Sequence, residues 1–367
     1  VIAFASPLAQ YRSQQAEIGA AVRRVLESGS YILGEEVVAF ERALAAQCGV
    51  AHAVGVASGT DAITLALRAL GVDAGDEVIT VSHTALATVA AILAAGAIPV
   101  LVDVEEDHFT LDPRELEAAV TARTKAIVPV HLYGQAADME PIMAFAARRG
   151  LAVIEDCAQA MGARLGAKAL GAFGRAGCFS FYPTKNIGAL GDAGAVATYD
   201  DGVAERIRRL RQYGWDDQRR TEGIGVNSRL DPLQAAILGV KLSRLKEWSA
   251  RRREIARRYS TAFAGLPMKT PGVRNGSEHA FHLYVIRTAD RDALRQSLAA
   301  AGVGTGIHYA APVHRQRGYA ERVRVPASGL PVSERLRGTI LSLPLYPELA
   351  DGDVERVVAA VHAHFAG

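Results

Sequence analysis

Apolar positions recur along this chain with two periods, and the switching between them marks out its elements. Residues 15–28 place Ile18, Ala21, Val22, Val25 and Leu26 on one helical stripe, and residues 35–47 repeat it with Val37, Val38, Phe40 and Leu44. A further helix over 61–70 stops ahead of Gly71. Short apolar runs at 77–81, 98–102, 124–130 and 151–155 predict buried strands, with helices at 83–95 and 138–149 between them. Asp112-Pro113-Arg114-Glu115 reads as a helix start: an N-cap acid, a proline at the first helical position and a capping-box glutamate. Strands and helices alternating in this way predict an α/β fold, a mainly parallel sheet sandwiched by helices.

From Asp231 the pattern changes. Asp231-Pro232 opens a long helix that runs to Leu245 and, after a bend, to Phe263. A strand over 281–287, a helix over 290–301 capped by Gly302, a strand over 303–309 and a closing helix over 353–365 predict a smaller C-terminal α+β unit. With the boundary near Trp248, the domains are 1–247, large and carrying the N-terminal helical segment, and 248–367. The lack of a low-complexity linker predicts tight packing between them.

With 367 residues of which 50% are hydrophobic, the chain can bury a core of that extent. A formal charge of +2 disfavours nucleic acid as a partner. Arginines cluster at 206–211 and 251–258, but no aromatics interleave them, so they read as solvated helix faces. Cys48, Cys157 and Cys178 lie in apolar contexts without paired spacing, as buried thiols of a reducing cytoplasm do. The first residues lack a charged-then-apolar signal pattern, and Gly96 and Pro99 interrupt the apolar stretch 85–102. A cytoplasmic protein without a membrane span is expected.

The chemistry centres on Lys185, in Ser180-Phe181-Tyr182-Pro183-Thr184-Lys185-Asn186-Ile187-Gly188. It is one of only six lysines, so a general need for positive charge does not explain it. Lysine is the cationic side chain that can lose its proton and attack a carbonyl. Its aromatic flanks predict a semi-buried amine with a lowered pKa. Asp156 ends a predicted strand, where ligands of open parallel sheets collect; it could hold a pyridinium nitrogen, or serve as a helix cap or ion-pair partner. Gln159 follows it. The backbone of Gly59-Thr60-Asp61 opens a helix and could cradle a phosphate, or be an ordinary capped start. Ser180 stands ready to add a hydroxyl. An imine-forming lysine, a carboxylate for a ring nitrogen and a helix start for a phosphate together suit pyridoxal 5′-phosphate. No metal-ligand spacing and no Gly-x-Gly-x-x-Gly run is present.

The chain resembles sugar aminotransferases of the DegT/DnrJ/EryC1/StrS type, of the aspartate-aminotransferase fold (fold type I). The resemblance runs through Tyr31-Ile32-Leu33-Gly34, Ser58-Gly59-Thr60-Asp61, Gly75-Asp76-Glu77-Val78-Ile79-Thr80 and Pro129-Val130-His131-Leu132-Tyr133-Gly134. It continues in Glu155-Asp156-Cys157-Ala158-Gln159-Ala160, the lysine motif, Asn227-Ser228-Arg229-Leu230-Asp231 and Leu341-Ser342-Leu343-Pro344. It implies that Lys185 forms the imine and shuttles protons, that Asp156 pairs with the pyridine nitrogen, that Gln159 meets the ring hydroxyl, and that Gly59, Thr60, Asp61 and Ser180 hold the phosphate. It implies a homodimer in which Asn227 reaches the neighbouring subunit's phosphate. Tyr182, Arg229, His308 and Tyr309, with His314 nearby, would meet the substrate, helped by Arg219 and Arg220 in the 215–225 loop.

Many relatives carry Trp, Tyr or Phe in place of Ala85, stacked on the cofactor, and His83 is expected to supply that ring here. Relatives that dehydrate sugars commonly replace the lysine by histidine, so Lys185 favours amination. The resemblance thus implies transfer from L-glutamate to a nucleotide-linked keto-sugar, a dTDP-linked 3-keto-6-deoxyhexose first. A UDP- or GDP-linked 4-keto-sugar and a non-catalytic regulatory protein of the same fold are the alternatives.

Overall fold

In the computed structural model, which describes residues 1–221 and 223–366, the chain opens with three helices, α1 (Pro7–Arg12), α2 (Gln15–Ser28) and α3 (Glu35–Cys48). There follow β1 (His52–Val56), α4 (Gly59–Ala69), β2 (Glu77–Val81), α5 (Leu86–Ala94), β3 (Ile98–Val102), α6 (Leu116–Ala119), β4 (Thr124–Ile127), α7 (Met139–Arg149) and β5 (Ala152–Asp156). A small hairpin of β6 (Arg164–Leu165) and β7 (Lys168–Ala169) precedes β8 (Ala176–Ser180), β9 (Gly194–Thr198) and α8 (Asp201–Leu210). The C-terminal part comprises α9 (Pro232–Leu242), α10 (Leu245–Ala262), β10 (Ser277–Glu278), β11 (Tyr284–Arg287), α11 (Arg291–Ala300), α12 (Pro331–Thr339), β12 (Ile340–Leu343) and α13 (Asp351–Ala366).

Seven strands form one sheet in the order β1-β9-β8-β5-β4-β2-β3. The run β3-β2-β4-β5-β8 is parallel, and β9 lies antiparallel to both β8 and β1. Both faces are covered, so side chains alternate between two apolar layers: Val78 packs with α4 and α5, while Ile79 and Val81 pack with α7. Polar residues within this sheet need partners. Glu77 is fully buried and ion-pairs with Arg123 (2.7 Å) and Arg324 (2.6 Å), and Thr80 donates to the Val128 carbonyl at 2.8 Å.

Helix α10 joins two cores. Leu245 and Trp248 pack with the large sheet, whereas Ile255, Ala256, Tyr259 and Phe263 pack with β11, β12 and α13. The bend expected after the Asp231 helix falls at Ser243 and Arg244, between α9 and α10.

Four expectations change. The 303–309 segment is not a strand; it makes single bridges from Val303 to Ile2 and from Gly306 to Ser342. The 281–287 strand shortens to 284–287 because Phe281 sits at a φ of 42°, outside strand geometry. The 83–95 helix starts only at Leu86, since Ala85 is extended. The 124–130 strand stops at Ile127. The helix start at Asp112 holds: its carboxylate accepts the Arg114 backbone N–H at 3.0 Å and ion-pairs with the Arg114 side chain, opening one 3₁₀ turn and the short α6.

Candidate active site

The carboxyl ends of β1, β2, β5 and β8 point to one edge of the sheet, and a cavity of about 230 Å³ lies beyond them. Gly59, Thr60, Ala85, Asp156, Gln159, Ser180, Tyr182, Lys185 and Asp192 are among its walls. At the β1 end, the Ser58 hydroxyl caps α4 by accepting the Asp61 N–H at 3.1 Å. The first turn of α4 presses against the end of β8: a Cβ on Gly59 would lie 2.6 Å from the Ser180 Cβ. This close approach sets Gly59 and Thr60, at a helix N-terminus, beside Ser180 on the cavity wall, an arrangement that suits an anion.

Asp156 is 4% exposed. One of its carboxylate oxygens accepts the Ala158 N–H at 3.0 Å, and the other accepts the Thr88 hydroxyl at 2.8 Å. Burial pushes its carboxyl up, opposed by those two donors and by the Lys185 charge. A cationic ring nitrogen in the cavity would lower it again.

Lys185 sits in a tight loop. Its own N–H donates to the Tyr182 carbonyl at 2.8 Å, and the Ala189 N–H closes onto the Phe181 carbonyl at 2.7 Å. From behind, buried Lys241 donates to the Gly188 carbonyl and, at 2.8 Å, to Gln10, while the Asn186 side chain donates to the Ala280 carbonyl at 3.0 Å. Desolvation brings the Lys185 amine down to about 8, with Asp156 acting the other way. The residue keeps part of its surface open and borders a second cavity as well as the first.

The remaining candidates divide. Gln159 faces the cavity, with its amide held between the Tyr133 N–H (2.7 Å) and the Tyr309 hydroxyl (2.9 Å). Tyr182 is half exposed at the cavity rim. His308 borders the second cavity, stacked on Phe4 and bonded to Ser342 at 2.9 Å, and burial draws its imidazole down to about 4. Asn227 is exposed and accepts from Arg229 at 2.8 Å; neither borders the cavity within this chain.

Two assignments are corrected. His83 does not offer a stacking ring: it is buried, its Nε2 lies 2.8 Å from the Tyr133 hydroxyl, and it packs among Phe109 and Tyr133. The cavity wall there is Thr84, Ala85 and Ala87. Asp61 adds no backbone donor to the cradle either, because its N–H is taken by the Ser58 hydroxyl at 3.1 Å, and its carboxylate accepts the Ser228 hydroxyl at 2.7 Å. His314 is tied to Ser82 and Glu334, both at 2.7 Å. In the 215–225 loop, Arg220 pairs with Asp216 and Arg219 lies over Trp215; Glu222 lies outside the described residues.

Sequence reasoning passed over Thr88 and Tyr133, single polar residues in apolar runs whose roles depend on distant partners. Buried His131, Glu155 and Cys157 also converge. Glu155 accepts the N–H groups of Gly171, Phe173 and Gly174 at 2.7–2.8 Å besides the His131 contact, and His131 Nδ1 accepts from Ala137 at 3.0 Å. These donors and acceptors are spent on holding the β5–β8 connection. Among the described residues, no helix is long and apolar enough to cross a membrane.

The cavity residues fit pyridoxal 5′-phosphate: a partly dehydrated amine, a buried carboxylate held by two donors, and a cradle closed by Gly59 against Ser180. Lys185 would carry the aldehyde, Asp156 the ring nitrogen, and Gly59, Thr60 and Ser180 the phosphate.

Known proteins are similar to this chain in sequence and in fold. The chain is 49% identical, over 97% of both sequences, to the erythromycin biosynthesis sensory transduction protein EryC1 of Saccharopolyspora erythraea. It is 47% identical to the dTDP-3-amino-3,4,6-trideoxy-alpha-D-glucose transaminase of Streptomyces venezuelae, covering 96% of this chain and 93% of that one. The crystal structure of S. venezuelae DesV in complex with a ketimine intermediate superposes with a TM-score of 0.96 at 46% identity, covering 99% of this chain and 98% of that one. The profile of one family matches residues 12–362, and by that match and these relatives the chain belongs to the DegT/DnrJ/EryC1/StrS aminotransferase family.

Proposed function

We propose that this protein moves the amino group of L-glutamate to the ketone of a nucleotide-linked deoxysugar, with a dTDP-linked 3-keto-6-deoxyhexose as the preferred acceptor. The observation that carries the reading is the meeting of Lys185, Asp156 and the Gly59–Ser180 cradle in one cavity, at the ends of strands far apart in sequence. The S. venezuelae relative named for a dTDP-3-amino sugar supports the choice of nucleotide and ring carbon.

When bound, pyridoxal phosphate supplies the aldehyde and the electron-withdrawing ring. Lys185, near neutrality at about 8, can accept and return a proton at Nζ as the amino group passes. Asp156, fixed by Thr88 and Ala158, would hold the ring nitrogen and supply a negative charge to it. Gln159 and Tyr309, joined at 2.9 Å, brace the wall beside them. Lys185 would be idle in a purely regulatory protein, which disfavours that alternative.

The cavity rim is open where Tyr182 is exposed, and Asn227 with Arg229 lies outside it. A homodimer that places the partner subunit's copy of this segment over the rim would complete the phosphate site, and exposed Tyr31, Ile32, Leu190 and Tyr213 offer apolar surface for it.

Borohydride reduction of the cofactor-supplied protein, followed by peptide mass analysis, should find the label on Lys185. Paired dTDP-linked 3-keto and 4-keto sugars, with NMR of the products, assign the carbon; amination at C4 alone would replace the 3-keto reading.

A further inference from the structure

A second cavity, about 140 Å³, lies on the side of Lys185 facing the C-terminal part of the chain. Its walls include Lys185, Arg252, His282, His308 and Glu348. Arg252 is 4% exposed. Its Nη1 donates to the carbonyls of Phe281 (3.1 Å), Leu345 (3.0 Å) and, at 3.4 Å, His282, whereas its Nε has no partner. Among the described residues, no carboxylate lies within ion-pair distance of it. Glu348 Oε2 and His282 Nδ1 are likewise buried without partners.

We infer that this cavity is the carboxylate-binding site for the amino donor, with Arg252 as the group that receives it. The inference rests on the aminotransferase reading above. A buried guanidinium whose hydrogen bonds go only to neutral carbonyls is costly, because the charge has lost its water and Glu348, the acid that acts on it, lies beyond ion-pair distance. A planar carboxylate restores the balance through the free edge of the fork.

The location selects the ligand. Lys185 borders the cavity, so a molecule held there by its acid group has its amine next to the lysine that would carry the cofactor and that the donor's amine would displace. The volume suits a short amino acid and is too small for a nucleotide diphosphate. Burial pushes the Glu348 carboxyl up and pulls the Arg252 guanidinium down to about 10, so the cavity resists charge until a ligand brings the missing sign. His282, held neutral by the same desolvation, can donate a hydrogen bond to that acid group without adding charge.

Glutarate, a dicarboxylate with no amine to transfer, is the probe. Titrated into the cofactor-loaded protein, it should raise the melting temperature saturably and perturb the visible absorbance of the lysine-bound cofactor. Arg252→Lys should weaken glutarate at least tenfold. Glu348→Gln, which removes a competing negative charge, should tighten it severalfold and carries the test if the Arg252 variant melts early without ligand. The inference is overturned if both variants bind glutarate within twofold of the unaltered protein. It is also overturned if L-glutamate bleaches the visible band while glutarate has no saturable effect, an outcome that leaves the aminotransferase reading standing. If L-glutamate itself leaves the band unchanged, that reading fails and this site falls with it.

Discussion

The two cavities that meet at Lys185 are built in opposite ways. On the strand-end side, the polar groups are already engaged: Asp156 by Thr88 and Ala158, Gln159 by Tyr133 and Tyr309. On the C-terminal side, Arg252, His282 and Glu348 keep atoms that nothing in the described protein satisfies. The first arrangement is preorganised, its charges fixed before any ligand arrives and so costing no reorganisation during reaction. The second is a recognition surface whose polar groups wait for a partner. One side is therefore built for chemistry and for holding a cofactor, the other for selecting which small molecule approaches.

Substitutions test that division. Lys185→Ala should abolish turnover, a fall of roughly 10⁴-fold or more in product formation, and remove borohydride-trapped cofactor. Asp156→Asn keeps the shape and removes the charge; kcat should fall by about 10²–10³-fold while the dissociation constant for glutarate stays nearly constant. A loss of under tenfold would mean that the preorganised side does not control the chemistry.

Smaller changes should still sort by side. Gly59→Ala places a methyl 2.6 Å from the Ser180 Cβ. Overpacking of this kind costs about 1–3 kcal/mol, so cofactor titration should show affinity reduced by roughly tenfold to a hundredfold, with the sugar KM less affected. Thr88→Val deletes the 2.8 Å hydrogen bond to Asp156 without changing size. A hydrogen bond to a charged group is worth about 1.5–3 kcal/mol, and kcat should fall by about tenfold. An unchanged kcat would show that the Ala158 N–H alone suffices to hold the carboxylate.

The sheet was readable because its strands are buried on both faces: 77–81 and 98–102 are near-continuous apolar runs, and both matched to the residue. Lys185 and Asp156 could be found since each stands at the edge of such a run. Features set by remote partners were not readable. The Asp61 backbone looked like part of the cradle, but the Ser58 cap takes its N–H, and Ser228, 167 positions away, engages its carboxylate. His83 was misplaced because β2 stops at Val81 and the chain bends at 82–84 instead of continuing as strand, which brings the ring to Tyr133. The arginines at 251–258 read as one solvated face; Arg251 and Arg258 do pair with Asp351 at the surface, but Arg252 points inward. Local pattern cannot distinguish three arginines on one helix when only the packing of β11 and β12 decides which is enclosed.

The smallest expected effect is a shift of pH midpoint, and it sharpens the comparison most directly. An ordinary lysine, near 10.4, is neutral to only about one part in 250 at pH 8. Desolvation lowers Lys185 to about 8, so half its amines are unprotonated there. The rate at which the cofactor-free protein captures pyridoxal phosphate, followed by stopped-flow absorbance at saturating cofactor, should rise through a midpoint near pH 8 and level off above it. Asp156 opposes that lowering by stabilising the ammonium form. Asp156→Asn should therefore move the midpoint to lower pH, whereas Glu348→Gln, across the other cavity, should leave it in place. A midpoint near 10 in the unaltered protein would show that water reaches the amine. A shift on changing Glu348 as large as that for Asp156 would show that the two sides of Lys185 share one electrostatic field and are not separate devices.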